Sequence, residues 1–197
     1  MHPKAVFLDK DGTLIENAPY NVDPERIVLA PRAIEALQML RELDFELLVV
    51  TNQPGIALGY FSSDALDAVE DRLRELLAEH KIPLAGFYFC PHHPQGTVAR
   101  FRAICECRKP APGLLFRAAR QRQLDLGASW FIGDILDDVE AGNRAGCRTV
   151  LVDCGGETEW RLTPLRQPTL VAADLYSAAR QIAAAESTVT SPDSVPA

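Results

Sequence analysis

Residues 5–13 read AVFLDKDGT, and this stretch decides the fold. Its first four residues are an apolar run with the length of a buried parallel strand, and the carboxylates of Asp9 and Asp11 follow at its carboxyl end. Two carboxylates so close in a strand-end loop can face one site, where one attacks a substrate and the other transfers protons. Gly12 lets the chain turn away and keeps that site open. The stretch therefore predicts a catalytic loop; the simpler reading is an acidic strand end before a turn.

The rest of the chain alternates strand and helix patterns, which predicts one doubly wound α/β domain with a parallel sheet over residues 1–186. Further strands are predicted at 45–50, 87–89, 130–132 and 149–152, and helices at 31–43, 62–77, 114–124, 139–145 and 172–185. The connections leave no room for a large cap domain. Residues 187–197 are rich in Ser, Thr and Pro, so we expect them to form a disordered tail.

Several polar residues directly follow predicted strands. Parallel strands end at one edge of the sheet, where α/β proteins bind ligands, so residues far apart in sequence converge there. The residues concerned are Asp9, Asp11, Thr51, Asn52 and Asp134. We therefore expect one polar site at this edge.

The composition excludes some classes of partner. The 197 residues carry a net charge of −7, which argues against a broad surface for nucleic acid or anionic membranes. No apolar run approaches the roughly 18 residues of a membrane span, and charges interrupt the N-terminal residues before a signal peptide develops. We therefore expect a cytoplasmic protein, in the simplest case a monomer. An anionic substrate would need a local cluster of cations.

Three cysteines and a histidine lie close together at positions 90, 92, 105 and 107. The set Cys90, His92, Cys105 and Cys107 matches a closed, tetrahedral Zn²⁺ site. The total of five cysteines is odd, which argues against a disulfide framework. We expect structural zinc that folds the loop 90–107, which has too few apolar residues to order itself. The alternative is a group of free buried cysteines.

Four segments, in this order, resemble the motifs of the haloacid dehalogenase-like phosphatases: Asp-x-Asp-Gly-Thr at 9–13, Thr51-Asn52, Lys109 and 133–138. The resemblance implies that Asp9 is the nucleophile and that Asp11 is the general acid and base. It also implies Mg²⁺ held by Asp9, the backbone carbonyl of Asp11, and Asp134. Asp138 would position Lys109 or a metal-bound water, or it would only be a carboxylate at a helix start.

The cysteine segment, CPHHPQG followed by CECRKPAPG, is similar to the heptose 1,7-bisphosphate 7-phosphatase branch of that family. A related branch, the histidinol phosphatases, typically has a shorter loop. The similarity implies a small sugar phosphate of lipopolysaccharide heptose synthesis as substrate, with histidinol phosphate or another small phosphate ester as alternatives. It implies substrate contacts from Asn17, Tyr20, Thr51, Asn52, Gln53, Arg108 and Lys109. One residue departs from the pattern, since Ile135 occupies a position where the heptose enzymes often have lysine.

Two non-enzymatic readings are weaker. A phosphoacceptor signalling domain would need an acceptor aspartate on a later strand, whereas the second strand ends in Thr51-Asn52. A zinc-binding interaction module would leave Asp9, Asp11 and Asp134 without a role. Turnover separates them, because only a phosphatase hydrolyses many equivalents of ester.

Overall fold

A computed structural model describes residues 2–189, and its centre is a six-stranded, fully parallel sheet. The strands are β1 (Ala5–Leu8), β2 (Glu46–Asn52), β3 (Gly86–Cys90), β4 (Trp130–Gly133), β5 (Arg148–Val152) and β6 (Leu170–Ala172). Their order is β3-β2-β1-β4-β5-β6. The strand order reverses between β1 and β4, and that switch point is where doubly wound sheets bind ligands.

Helices cover both faces of the sheet. They are α1 (Ala33–Glu42), α2 (Gly55–Leu58), α3 (Ala65–Ala78), α4 (Gly113–Arg122), α5 (Leu136–Ala145) and α6 (Leu175–Val189). Val6 and Leu8 of β1 pack into a core with α1, α3 and α6, whereas Ala5 and Phe7 pack into a second core with α4 and α5. This alternation explains why β1 is apolar throughout, since both of its faces are buried. The predicted doubly wound parallel sheet is confirmed.

Three details differ from the sequence prediction. The strand β6 was missed: Ala172 was assigned to the last helix, but it pairs in the sheet and the helix begins at Leu175. The four-residue helix α2 was also missed. Helix α6 continues to Val189, past the predicted boundary at 186. The Ser187 hydroxyl donates to the Ala183 carbonyl at 2.9 Å there. The predicted disorder of 190–197 lies outside the described residues.

None of the helices in the described part of the chain is long and apolar enough to cross a membrane.

Candidate active site and metal centre

The first cluster lies at the switch point, where the backbone N–H of Asp9 donates to the Ile132 carbonyl at 2.9 Å and so joins the ends of β1 and β4. A cavity of about 210 Å³ opens beside it. The cavity is lined by Asp9, Asp11, Asn17, Thr51, Asn52, Lys109, Asp134, Ile135 and Gly156. The fold thus brings together residues that are up to 147 positions apart in the sequence.

Lys109 is the buried cation of this cluster. Its Nζ lies 2.5 Å from Asp9 Oδ1 and 2.6 Å from Asp138 Oδ1. Burial lowers the pKa of Lys109, but the negative charges of Asp138 and Asp9 outweigh it, and the pKa is raised overall. Lys109 is therefore a fixed positive charge beside the predicted nucleophile.

Two neighbours hold Lys109 in place. The side chain of Asn52 clamps its backbone, accepting from the Lys109 N–H at 3.0 Å and donating to the Lys109 carbonyl at 3.1 Å. Asp138 pairs with the ammonium and also accepts from the Ile135 N–H at 3.3 Å, at the start of α5. Asp138 therefore pairs with Lys109 and also binds a helix start, whereas its role toward a metal-bound water stays a prediction.

The carboxylates of this cluster have the chemistry of a hard-cation site. One oxygen each from Asp9, Asp134 and Asp138 lies within 4.8 Å of the others. Burial, with the charge of Asp9 adding to it, raises the pKa of Asp134 to about 6. Asp138 does not line the cavity, and its two oxygens are used on Lys109 and on the Ile135 N–H. Asp9 and Asp134 are therefore the carboxylates best placed to hold a divalent cation, and oxygen ligands suit Mg²⁺. Gly12 keeps this space open, since a Cβ there would overlap the Asp134 carboxylate.

Asp11 has the environment expected of a general acid. Burial raises its pKa, and Lys10 opposes that rise with an ammonium 2.6 Å from Asp11 Oδ1. Gln53 donates to Asp11 Oδ2 at 3.1 Å and to the Thr51 hydroxyl at 3.0 Å. Sequence reasoning missed Lys10, which is only 1% exposed. A lysine flanked by two carboxylates in a strand-end loop was the available signal.

The predicted substrate-binding residues separate into two groups. Asn17, Thr51, Asn52 and Lys109 line the catalytic cavity. Arg108, Gln53 and Tyr20 do not line it. Arg108 lines an adjacent cavity of about 380 Å³, which Lys109 also borders, and donates to the His92 carbonyl at 3.4 Å.

Gln53 and Tyr20 contact protein groups instead. Gln53 is 4% exposed and orients Asp11 through its amide. Tyr20 is 49% exposed, and its ring packs edge-on against Tyr60, with the two ring centroids 4.8 Å apart.

The second cluster contains the four predicted zinc ligands. The Sγ atom of Cys107 lies 3.0 Å from that of Cys90 and 3.4 Å from that of Cys105, and His92 Nδ1 lies 3.3 Å from Cys107 Sγ. All four ligand atoms lie within 4.8 Å of one another. Tetrahedral zinc ligands with bonds of about 2.0–2.3 Å lie roughly 3.3–3.8 Å apart. The set approaches this spacing, although the distance from Cys90 to Cys107 is shorter, and its four donors are those of a closed Zn²⁺ site. The hydrogen bond between these two thiols lowers the pKa of Cys107 and raises that of Cys90, so Cys107 is the thiolate of the pair.

The known proteins that this chain resembles belong to one family. Residues 106–178 match the family model of the HAD-hydrolase-like proteins. The D-glycero-β-D-manno-heptose-1,7-bisphosphate 7-phosphatase of Escherichia coli K12 is 40% identical over 152 residues, which are 77% of this chain and 80% of that protein. The enzyme of the same name from Pasteurella multocida is 40% identical over 153 residues, which are 77% of this chain and 83% of that protein.

Two solved structures support the same family. The D,D-heptose 1,7-bisphosphate phosphatase of B. bronchiseptica, whose structure was solved in complex with magnesium and phosphate, matches with a TM-score of 0.74 and is 30% identical. That match covers 91% of this chain and 97% of the other. A candidate HAD-like phosphatase from Mesorhizobium loti matches with a TM-score of 0.81 and 35% identity, over 98% and 90% of the two chains. The chain is a phosphatase and belongs to the haloacid dehalogenase-like family, in the branch that contains the heptose 1,7-bisphosphate 7-phosphatases.

Proposed function

We propose that this phosphatase removes the 7-phosphate of D-glycero-β-D-manno-heptose 1,7-bisphosphate through a phosphoaspartate at Asp9, with Mg²⁺ as cofactor and structural Zn²⁺ in the loop 90–107. The observation that carries the proposal is the joint position of Asp9, Asp11 and Lys109 around one cavity, in a chain 40% identical to enzymes named for that reaction. The small cavity, with the buried cation Lys109 in its lining, suits one phosphoryl group on a small metabolite.

The first step assigned to the chain is nucleophilic attack. An Asp9 oxygen attacks phosphorus, and the bond between phosphorus and the sugar oxygen breaks as the phosphoryl group moves to Asp9. Asp11 donates its proton to the departing alkoxide, and the raised pKa of Asp11 favours the protonated form that this step needs. Asp11 then takes a proton from the water that hydrolyses the phosphoaspartate, which releases phosphate and restores Asp9.

Negative charge must be offset at each stage, because a carboxylate approaches a phosphate dianion. Lys109 is already paired with Asp9 and can follow the charge as it develops on the phosphoryl oxygens. Thr51 and Asn52 line the same cavity and offer hydroxyl and amide donors. Asp9 and Asp134, with the backbone carbonyl of Asp11, would hold Mg²⁺, which when bound neutralises part of this charge.

One observation favours a second candidate, histidinol phosphate. On the side of Ile135 and Gly156, an adjoining cavity of about 300 Å³ carries the carboxylates of Asp137, Glu157 and Glu159. Its cation, Arg166, is paired with Asp137 at 2.6 Å and with Glu140 at 2.7 Å. An acidic wall suits a cationic leaving group, as in histidinol phosphate, better than it suits a second phosphate. The second phosphate of a heptose bisphosphate would instead lie toward Arg108.

A substrate panel tests the proposal. Purified protein with Mg²⁺ is given both anomers of heptose 1,7-bisphosphate, histidinol phosphate and common sugar phosphates, and phosphate release is measured. We expect the highest kcat/KM for the β-anomer. A higher kcat/KM for histidinol phosphate would overturn the substrate assignment and leave the phosphatase chemistry standing.

A further inference from the structure

The loop that follows β5 forms one wall of the catalytic cavity. Residues 153–158 read DCGGET, and Gly156 in this loop lines the cavity beside Asp134. Gly156 lies so close to that residue that a Cβ on it would overlap Oδ2 of the Asp134 carboxylate. Gly155 has a φ of +90°, which most other residues adopt only with strain. Two adjacent glycines give the loop little conformational restraint of its own, so something else must hold Gly156 against the carboxylate.

Glu157 supplies that restraint. Its Oε2 accepts from the backbone N–H of Leu136 at 2.6 Å, and its Oε1 accepts from the N–H of Glu159 at 2.5 Å. Leu136 is the first residue of α5, so its N–H has no partner within the helix, and a negative charge is favourable there. Both carboxylate oxygens of Glu157 are therefore used, one on the helix and one on the loop.

The Asp134 carboxylate itself has weak polar support. Apart from its own backbone, the donor that contacts it in the described part of the chain is the Thr13 hydroxyl at 3.5 Å, a long distance for a hydrogen bond. Close packing by Gly12 and Gly156, both against Oδ2, therefore limits where the carboxylate can lie. A displaced Gly156 would free Asp134 to rotate.

We propose that Glu157 is a positioning residue for the divalent-cation site: it ties the loop after β5 to the start of α5, and so holds Gly156 against Asp134. The proposal rests on the assignment of Asp134 as a Mg²⁺ ligand in the proposed function. Residues that orient metal ligands typically affect metal affinity by 10- to 100-fold. Glu157 then acts through Asp134 and touches neither substrate nor metal.

The test compares Glu157→Ala, Glu157→Gln and the matched control Asp153→Ala. Asp153 has the same charge and lies in the same loop, and its exposed side chain lines neither the catalytic cavity nor the adjoining acidic one. Its backbone N–H donates to the Ala172 carbonyl at 2.8 Å, so its side chain can be removed without breaking the tie. Mg²⁺ affinity is measured by calorimetric titration of the protein without substrate. The half-activating Mg²⁺ concentration is measured separately with p-nitrophenyl phosphate, a substrate that does not depend on the heptose assignment.

We expect Glu157→Ala to weaken Mg²⁺ binding and raise the half-activating concentration by about 10-fold, with kcat largely restored at saturating Mg²⁺. Glu157→Gln should stay closer to wild type, because its amide oxygen still accepts from Leu136. Asp153→Ala should match wild type, and Gly156→Ala should weaken Mg²⁺ binding because its Cβ displaces Asp134.

Three outcomes would overturn the inference. Equal losses in Glu157→Ala and Asp153→Ala would mean that only the charge of the loop matters. A lower melting temperature in Glu157→Ala with unchanged Mg²⁺ affinity would mean that Glu157 stabilises the fold but does not position the cation site. Wild-type protein that binds no Mg²⁺ would overturn the cofactor assignment as well, whereas failure of the heptose assignment alone would leave these measurements unaffected.

Discussion

The catalytic cluster and the cysteine cluster are both groups of metal-ligating side chains, but the chain builds them in opposite ways. The cysteine cluster comes from a single segment of 18 residues, and its thiolates and imidazole suit zinc. The catalytic cluster joins the ends of β1 and β4, 125 positions apart, and its oxygens suit magnesium. A metal in the cysteine cluster would fold the loop that carries its ligands, whereas the catalytic cluster forms only when the sheet has folded. We therefore expect a metal to be structural in the first and exchangeable in the second.

Lys109 connects the two regions. The cysteine segment ends at Cys107, two residues before Lys109, and the Lys109 ammonium lies against Asp9. Disturbance of the cysteine cluster should therefore reach the catalytic cluster through Lys109, although no cysteine takes part in the chemistry. The following predictions test the catalytic cluster, the cysteine cluster and the connection between them.

The largest effect is expected from Asp9→Asn, because an amide can neither attack phosphorus nor bind Mg²⁺ as a carboxylate does. Turnover should fall below about 1% of wild type, since loss of the covalent route costs several kcal/mol. Steady-state phosphate release is the measurement, with circular dichroism and zinc content as controls for an intact fold. Activity above that level would contradict the assignment of the nucleophile.

Asp11→Asn should reduce kcat by roughly 10²–10⁴, the range of general acid–base catalysis. The loss should be smaller with a phenolic ester, because a phenolate hardly needs a proton to leave. The two substrates are compared under identical conditions. Equal losses on an alkyl and a phenolic ester would count against the role of Asp11 as the acid.

Cys107→Ser should raise KM and lower kcat together, by up to about 10²-fold, because Arg108 and Lys109 lose their fixed position. The loop 90–107 should become sensitive to protease while the sheet stays folded. Elemental analysis should find one zinc per wild-type chain and less in the variant. Protein purified without chelators that contains no zinc would disprove the metal assignment.

The smallest effect is expected from Asn52→Ala, which removes the two hydrogen bonds to the Lys109 backbone but leaves the ammonium paired. Two lost hydrogen bonds of about 1 kcal/mol each would lower kcat/KM by at most about 30-fold. Combined with Cys107→Ser, the losses should not add, because both variants release the same lysine. Strictly additive losses would show that the two regions are not coupled through Lys109.

The sequence predicted the features that depend on periodicity. β1, β2 and β4 are apolar runs followed by polar residues, so both the strands and the convergence of Asp9 with Asp134 could be inferred before the structure. The cysteine cluster could also be predicted from the sequence, because all four ligands lie in one short segment.

Other features had no such signal. Strand β6 has only three residues, and Val171 in it is 53% exposed, so its pattern resembled the start of the following helix. The contact of Glu157 with Leu136 joins a loop to a helix start 21 positions away, and no periodic pattern marks either end. The ring contact between Tyr20 and Tyr60 likewise joins two loops without a periodic pattern, and a substrate contact of Tyr20 stays a prediction.

The central claim is that Asp9 carries the phosphoryl group, and chemical trapping tests it most directly. The Asp11→Asn variant, which should hydrolyse the intermediate slowly, is quenched with borohydride during turnover of heptose bisphosphate, and tryptic peptides are measured by mass spectrometry. Borohydride reduces an acyl phosphate to an alcohol, so Asp9 in the peptide of residues 5–10 should be recovered as homoserine. An unmodified Asp9 peptide while phosphate is being released, or a trapped group on another residue, would contradict the account.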